Sequence, residues 1–191
     1  MKSSQLFSLF ALIFSATLTL SSQSYHLTEF DFTVSGTSNI HDWVSDVTQV
    51  TWNGDFTFSE GGLQNISNVN VAIPVAGIVS SKGRIMDKKT YAALQSDSYP
   101  NITYVMTNCT LRKKGSSTIA NTKGRLTIAG KSQTVAMVVR INQLSNGQLK
   151  ATGNYTLKMT DYGVDPPTAL LGTLTTGDEV SLNFELILSP R

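Results

Sequence analysis

Two histidines, one cysteine and thirteen acidic residues are the chain's stock for acid–base, nucleophilic or metal chemistry. His41 and Asp42 are adjacent in Asn39-Ile40-His41-Asp42-Trp43. On a strand, adjacent side chains point to opposite faces, so the two do not form a dyad. We read His41 as a structural hydrogen-bonding residue at a turn, and His26 as the start of the first strand. A metal ion wants at least three convergent His, Cys or carboxylate ligands at workable spacing, and no such set is apparent. Cys109 has no second cysteine to pair with and is read as a small core or edge residue. Neither a glycine-rich phosphate loop nor a nucleophile elbow occurs. The expectation is a protein that is no enzyme and carries no cofactor or metal.

Two features suit binding better than catalysis. Lys82, Arg84, Lys88 and Lys89 surround a short helical interval, as an ordinary solvated face or as cations for anionic headgroups at a transiently contacted membrane surface. Between Asp161 and Gly177 runs the longest stretch without a strand pattern. It holds Pro166-Pro167 and the apolar Ala169, Leu170, Leu171 and Leu174, which either line a mouth or pack back on the barrel end. The net charge of +2 is too small to indicate nucleic acid, and no basic stripe is interleaved with aromatics.

The elements that must position these residues begin after the leader. Residues 1–24 carry one early cation, Lys2, an apolar run from Leu6 to Leu20, and small polar residues ending in Ser22-Gln23-Ser24. That pattern predicts a cleaved secretory signal and a periplasmic or secreted address. Residues 25–191 have the length of one domain, with no linker or low-complexity break.

Within that domain apolar and polar residues alternate at the period of two of a half-buried strand. Val69, Val71, Ile73 and Val75 share one face; so do Val135, Met137, Val139 and Ile141, and again Leu182, Phe184, Leu186 and Leu188. Strands are expected near 26–35, 45–58, 63–75, 101–112, 117–128, 132–143, 148–160 and 179–188. Glu60-Gly61-Gly62, Lys114-Gly115-Ser116, Ala129-Gly130-Lys131 and Ser145-Asn146-Gly147 supply hairpin turns between them. Asp87 is placed as the N-cap of a helix over 86–95, with Met86, Thr90, Ala93 and Leu94 on one face and Tyr91 beside it. A helix so short cannot cover the apolar face of the sheet, which must face itself inside a barrel or between two sheets. The helix is then a lid.

Gly-x-apolar-Thr-apolar recurs at Gly54-Asp55-Phe56-Thr57-Phe58, Gly124-Arg125-Leu126-Thr127-Ile128 and Gly153-Asn154-Tyr155-Thr156-Leu157. At a period of two each glycine shares the inner face with the apolar pair after it. Either the glycines let coiled strands bend, or the missing side chains leave room for a small ligand in an eight-stranded barrel.

Met86-Asp87 with its helix, Tyr99-Pro100-Asn101-Ile102-Thr103-Tyr104, Gly124 through Lys131, Asp161-Tyr162-Gly163 and Gly177-Asp178-Glu179-Val180 stand in an order and spacing that resembles the YceI-like family of exported lipid-binding proteins. The resemblance covers nearly all of residues 25–191. It implies an all-β fold, an eight-stranded antiparallel lipocalin-like barrel with one short helix as lid, holding a long apolar polyisoprenoid or quinone-like lipid in a central tunnel. The family carries no catalytic motif to transfer. The inward positions expected to bind lipid are Phe56, Phe58, Val71, Ile73, Leu126, Ile128, Val139, Tyr155, Leu157, Phe184 and Leu186, with Tyr91 and Leu94 from the lid. Two other readings stay open: a barrel filled by its own side chains that serves as an envelope scaffold, and an enzyme acting on a bound lipid.

Overall fold

Strand alternation resolves into hairpins that pair in chain order until the last strand meets the first. In the computed structural model, which describes residues 21–169 and 173–191, the order is β1 (Ser21–Ser38), β2 (Trp43–Val47), β3 (Thr51–Ser59), β4 (Gly62–Pro74), β5 (Ile78–Ser80), α1 (Arg84–Ala93), β6 (Asn101–Lys114), β7 (Ser117–Ile128), β8 (Lys131–Gln143), β9 (Leu149–Lys158), β10 (Thr168–Ala169) and β11 (Leu174–Pro190). Eight of these, β1-β3-β4-β6-β7-β8-β9-β11, form a closed antiparallel barrel, because β11 pairs with β1 from Tyr25↔Pro190 to Ser38↔Thr176. Closure removes the exposed edges of an open sheet. The fold is lipocalin-like, with one helix among the described residues.

The two ends differ. Tight hairpins close one: Ser59↔Gly62, Lys114↔Ser117 and Gln143↔Leu149 bracket their turns there. Leu149, Leu188 and Tyr25 are buried at this end. The Tyr25 hydroxyl donates to the Gly147 carbonyl at 3.1 Å, and its ring meets Phe56 edge-on with centroids 4.9 Å apart. The other end carries the long connections, α1 and a 3-10 turn, Met159–Tyr162, that leads to the fully buried Val164. The β7–β8 hairpin also turns here, with Ala129 and Gly130 at φ 46° and 75°. Positive φ at both central residues suits the right-handed twist of the flanking strands.

Several elements depart from the sequence expectation. The strand expected over 45–58 is two strands: β2 leaves the barrel wall, pairs with the second half of β1 and carries β5 on its far side, while β3 pairs with the first half of β1. The helix begins at Arg84, after Gly83, and Asp87 is not its N-cap. Asp87 instead lies buried in the first turn, where its carboxylate accepts the Ser80 N–H at 2.7 Å and ties β5 to the lid. The segment between Asp161 and Gly177 takes in the end of the 3-10 turn and the small β10–β11 hairpin, Thr168↔Thr175. Leu170 and Leu171 lie outside the described residues, as do residues 1–20 of the expected leader. Ser21–Ser24, which the sequence reading assigned to the leader, pair with Phe58–Asp55 of β3.

Candidate ligand-binding tunnel

The inner faces of the eight strands do not meet. An inner cavity of about 160 Å³ lies above the aromatic floor of Trp52 and Phe56, and a larger chamber of about 460 Å³ lies between the barrel rim, α1 and the 3-10 turn. Val34, Ile78, Ile102, Ile128 and Leu182 line both, so the two spaces abut end to end at an apolar neck.

Of the residues expected to bind lipid, Phe56, Val71, Ile73, Leu126, Val139, Tyr155, Phe184 and Leu186 line the inner cavity, Ile128 stands at the neck, and Leu94 and Leu157 line the outer chamber. Two line neither space. Phe58 packs beside Tyr25 at the closed end, centroids 6.3 Å apart. Tyr91 turns to the outside of the lid and donates its hydroxyl to the Ala76 carbonyl at 2.9 Å. The helix face itself is as expected, with Met86, Thr90, Ala93 and Leu94 toward the chamber. Trp52, Ile66, Val69 and Ile102 also line the inner cavity and were not singled out. Their alternation with polar neighbours was the available signal.

The three glycines do not leave this space as bare gaps in the wall. A Cβ on Gly124 would strike the Tyr104 ring, one on Gly153 would lie 2.5 Å from Phe184 Cζ, and one on Gly54 would lie 2.8 Å from the Trp52 ring and 2.9 Å from Val69. Each vacancy holds a neighbour's side chain, the packing called aromatic rescue of strand glycines.

Polar groups in the inner cavity are few and mostly committed. The Tyr104 hydroxyl donates to Thr122 Oγ1 at 3.2 Å, and Thr122 in turn donates to the Met137 carbonyl at 3.2 Å. Both hydroxyl protons are spent within the wall. Burial raises the Tyr104 and Tyr155 phenols above their ordinary pKa, and pushes Tyr162, in the outer chamber, up to about 12. The tunnel therefore keeps its phenols neutral at any physiological pH.

The outer chamber is apolar with a polar rim. Ser38, His41, Lys82, Lys89 and Thr176 contribute to its lining, and among the described residues no carboxylate does. Lys89 Nζ donates to the Thr168 carbonyl at 2.9 Å, tying the lid to β10. Asn39 holds the same hairpin: its side chain donates to the Thr173 carbonyl at 2.7 Å and accepts the Thr175 N–H at 3.0 Å. The Asp178 carboxylate accepts the Thr160 hydroxyl and N–H at 2.7 and 2.9 Å, which fixes the 3-10 turn and holds its own pKa below the usual range. His41 is at the β1–β2 turn, with Nδ1 2.9 Å from the Asp42 carbonyl oxygen, and Ser38 Oγ donates to its carbonyl at 2.6 Å. Among the described residues no three His, Cys, Asp or Glu side chains converge.

Comparison with known proteins agrees with this architecture. The family described as the YceI-like domain matches residues 19–188. No curated protein matches the chain. Among solved structures, the chain is similar to BcnA of Burkholderia cenocepacia, at 20% identity and a TM-score of 0.65, over 83% of this chain and 95% of that one. It is also similar to a polyisoprenoid binding domain from Saccharophagus degradans implicated in plant cell wall breakdown, at 10% identity and a TM-score of 0.65, over 88% of this chain and 99% of that one. A YCEI protein of Campylobacter jejuni aligns at 15% identity and a TM-score of 0.56, over 100% of this chain and 99% of the other. At these identities the likeness concerns the fold.

Proposed function

This chain belongs to the YceI-like family, and on that premise we propose that it is an exported, non-catalytic binding protein that holds one long apolar lipid, polyisoprenoid or quinone-like, for carriage or sequestration. The observation that carries the reading is the apolar neck of Val34, Ile78, Ile102, Ile128 and Leu182, at which two apolar chambers abut and which we read as the waist of one elongated space. Such a space suits a chain better than a compact ligand. Burying each methylene of that chain is worth about 0.8 kcal/mol before the cost of association, so a long tail binds firmly without any specific polar contact. The binding domain from Saccharophagus degradans, of the same fold, supports a polyisoprenoid as the class of ligand. The leader pattern of residues 1–24 supports export.

A scaffold barrel filled by its own side chains would lack both chambers. Native mass spectrometry and organic extraction of the purified protein separate the readings. The carrier should release an apolar lipid in a near one-to-one ratio. A protein that purifies empty, and takes up no added prenyl lipid, overturns it.

A further inference from the structure

Six large apolar side chains are exposed among the described residues, and four of them sit on one flap beside the tunnel mouth: Ile40 at the β1–β2 turn, Val44 on β2, Val79 on β5 and Ile85 in the first turn of α1. Ile85 is 75% exposed and Ile40 61%. The β2–β5 register sets Asp46 opposite Val79, so Val44 is Val79's diagonal neighbour on the outer face, while Val47 and Ile78 turn inward. Val44 and Val79 share that outer face with Asp46, whereas Ile85 lines the chamber and Ile40 adjoins His41 of its rim, so Ile40 and Ile85 are the exposed apolar pair at the mouth and not scattered residues that need no explanation.

Charge stands beside this group. Lys82, Arg84 and Lys88 are exposed on the turn into α1 and on its first turns. The one carboxylate of that helix, Asp87, is buried and engaged by the Ser80 N–H. Among the described residues the only salt bridge is Lys150–Glu185, on the barrel wall. Asp42 and Asp46 are the flap's own exposed carboxylates, both on the β2 side, so its positive charge is concentrated at the lid.

We propose that this flap docks the tunnel mouth on an anionic lipid bilayer, with Ile40 and Ile85 entering the headgroup layer and Lys82, Arg84 and Lys88 meeting lipid phosphates. The proposal rests on the tunnel reading above: a long apolar chain crosses open water only at a high cost, so its exchange is best served where the mouth touches a membrane. Apolar insertion or a basic cluster alone holds a protein weakly, and the two together hold it usefully.

The test is co-sedimentation of the purified protein with vesicles of phosphatidylcholine alone or mixed with phosphatidylglycerol. We expect partitioning onto the mixed vesicles only, weakened by added salt as the charges are screened. Arg84→Glu/Lys88→Glu should lower it about tenfold or more, given the strength of each basic contact with an anionic surface, and Ile40→Ser should lower it as well. None of these three residues lines the tunnel, so extracted lipid should be unchanged in both variants. Absence of binding to mixed vesicles, or binding indifferent to both variants, overturns the docking while leaving the tunnel reading intact. An Ile40→Ser variant that turns a wild-type dimer into a monomer also overturns it, since a second copy then covers the flap. Empty wild-type protein that still binds vesicles would count against the tunnel reading alone.

Discussion

Phe184 lies over Gly153, its direct partner across the β9–β11 pair, with Cζ 2.5 Å from the point where a Cβ on Gly153 would stand. Trp43 stands in the same relation to its partner Gly36, and the Tyr104 ring covers Gly124 from a diagonal position. A ring seated against bare backbone stays at the wall, which is how a barrel rich in inward aromatics keeps an open middle. Gly153→Ala should unseat Phe184 and turn it toward the cavity it now borders. We expect a loss of about 1–3 kcal/mol, the usual cost of overpacking, read from the urea midpoint, and less lipid per protein on extraction. Wild-type stability together with wild-type lipid content would show that the ring does not depend on the glycine.

The neck is the narrowest commitment of the tunnel to apolar cargo. Ile128, 7% exposed, belongs to both chambers, and Leu157 lines the outer one. Arginine at either position puts a cation where no carboxylate lines the wall. Ile128→Arg should cost several kcal/mol through its unpaired buried charge, and Leu157→Arg, half-buried and nearer the mouth, less. Each should purify without lipid. Either variant, folded by circular dichroism yet extracting with its full lipid, would remove the residue from the binding wall.

How far the sequence reading reached can be traced to the phase of its alternation. Leu126 and Ile128, or Leu186 and Leu188, keep one parity along an unbroken strand, and their inward direction was legible. Where the phase slips, the reading failed. Ser45 and Val47 are inward at odd positions, whereas Trp52 and Phe56 are inward at even ones, so the slip near Thr48 marks the break between β2 and β3. In β4, Ile66 and Val69 are both buried across a bulge at Asn68, whose φ is 55°. Bulges bend strands and re-aim side chains in just this way. Phe58 had the right phase but lies below the cavity floor, a depth that alternation does not encode. Tyr91 stands beside the lid's inner face, and one helical position was enough to turn it outward. Asp87 resembled an N-cap because the helix start was placed two residues late; the acceptor role was real, but its donor, the Ser80 N–H, precedes the helix.

That hydrogen bond makes Asp87 the fastening between the lid and β5. Asp87→Ala leaves the Ser80 N–H without its partner in a partly buried corner, at a cost of about 1–3 kcal/mol, concentrated in β5 and α1. Amide exchange should quicken across residues 78–93 and change little in β7 and β8, and bound lipid should leave faster. Asp87→Asn, which keeps a carbonyl oxygen to accept the bond, should recover most of the protection. Exchange that speeds up evenly over the whole barrel would mean that Asp87 supports global stability and not the lid.

Cys109 offers a last reading of the wall. It is half-buried against the aromatic end of the core, and burial pushes its thiol up to about 11. At pH 8 about a thousandth of it is then thiolate, the reactive form, against roughly a quarter for an ordinary unfolded cysteine. Alkylation at pH 8 should therefore be roughly two-hundredfold slower in the native protein than in urea. Because the folded pKa lies above the unfolded one, the thiol's contribution to stability is complete below pH 8 to 9 and declines as pH rises toward 11. Cys109→Ala should flatten that alkaline decline. Equal alkylation rates in native and unfolded protein would place the sulfur in solvent and remove the burial that raises it.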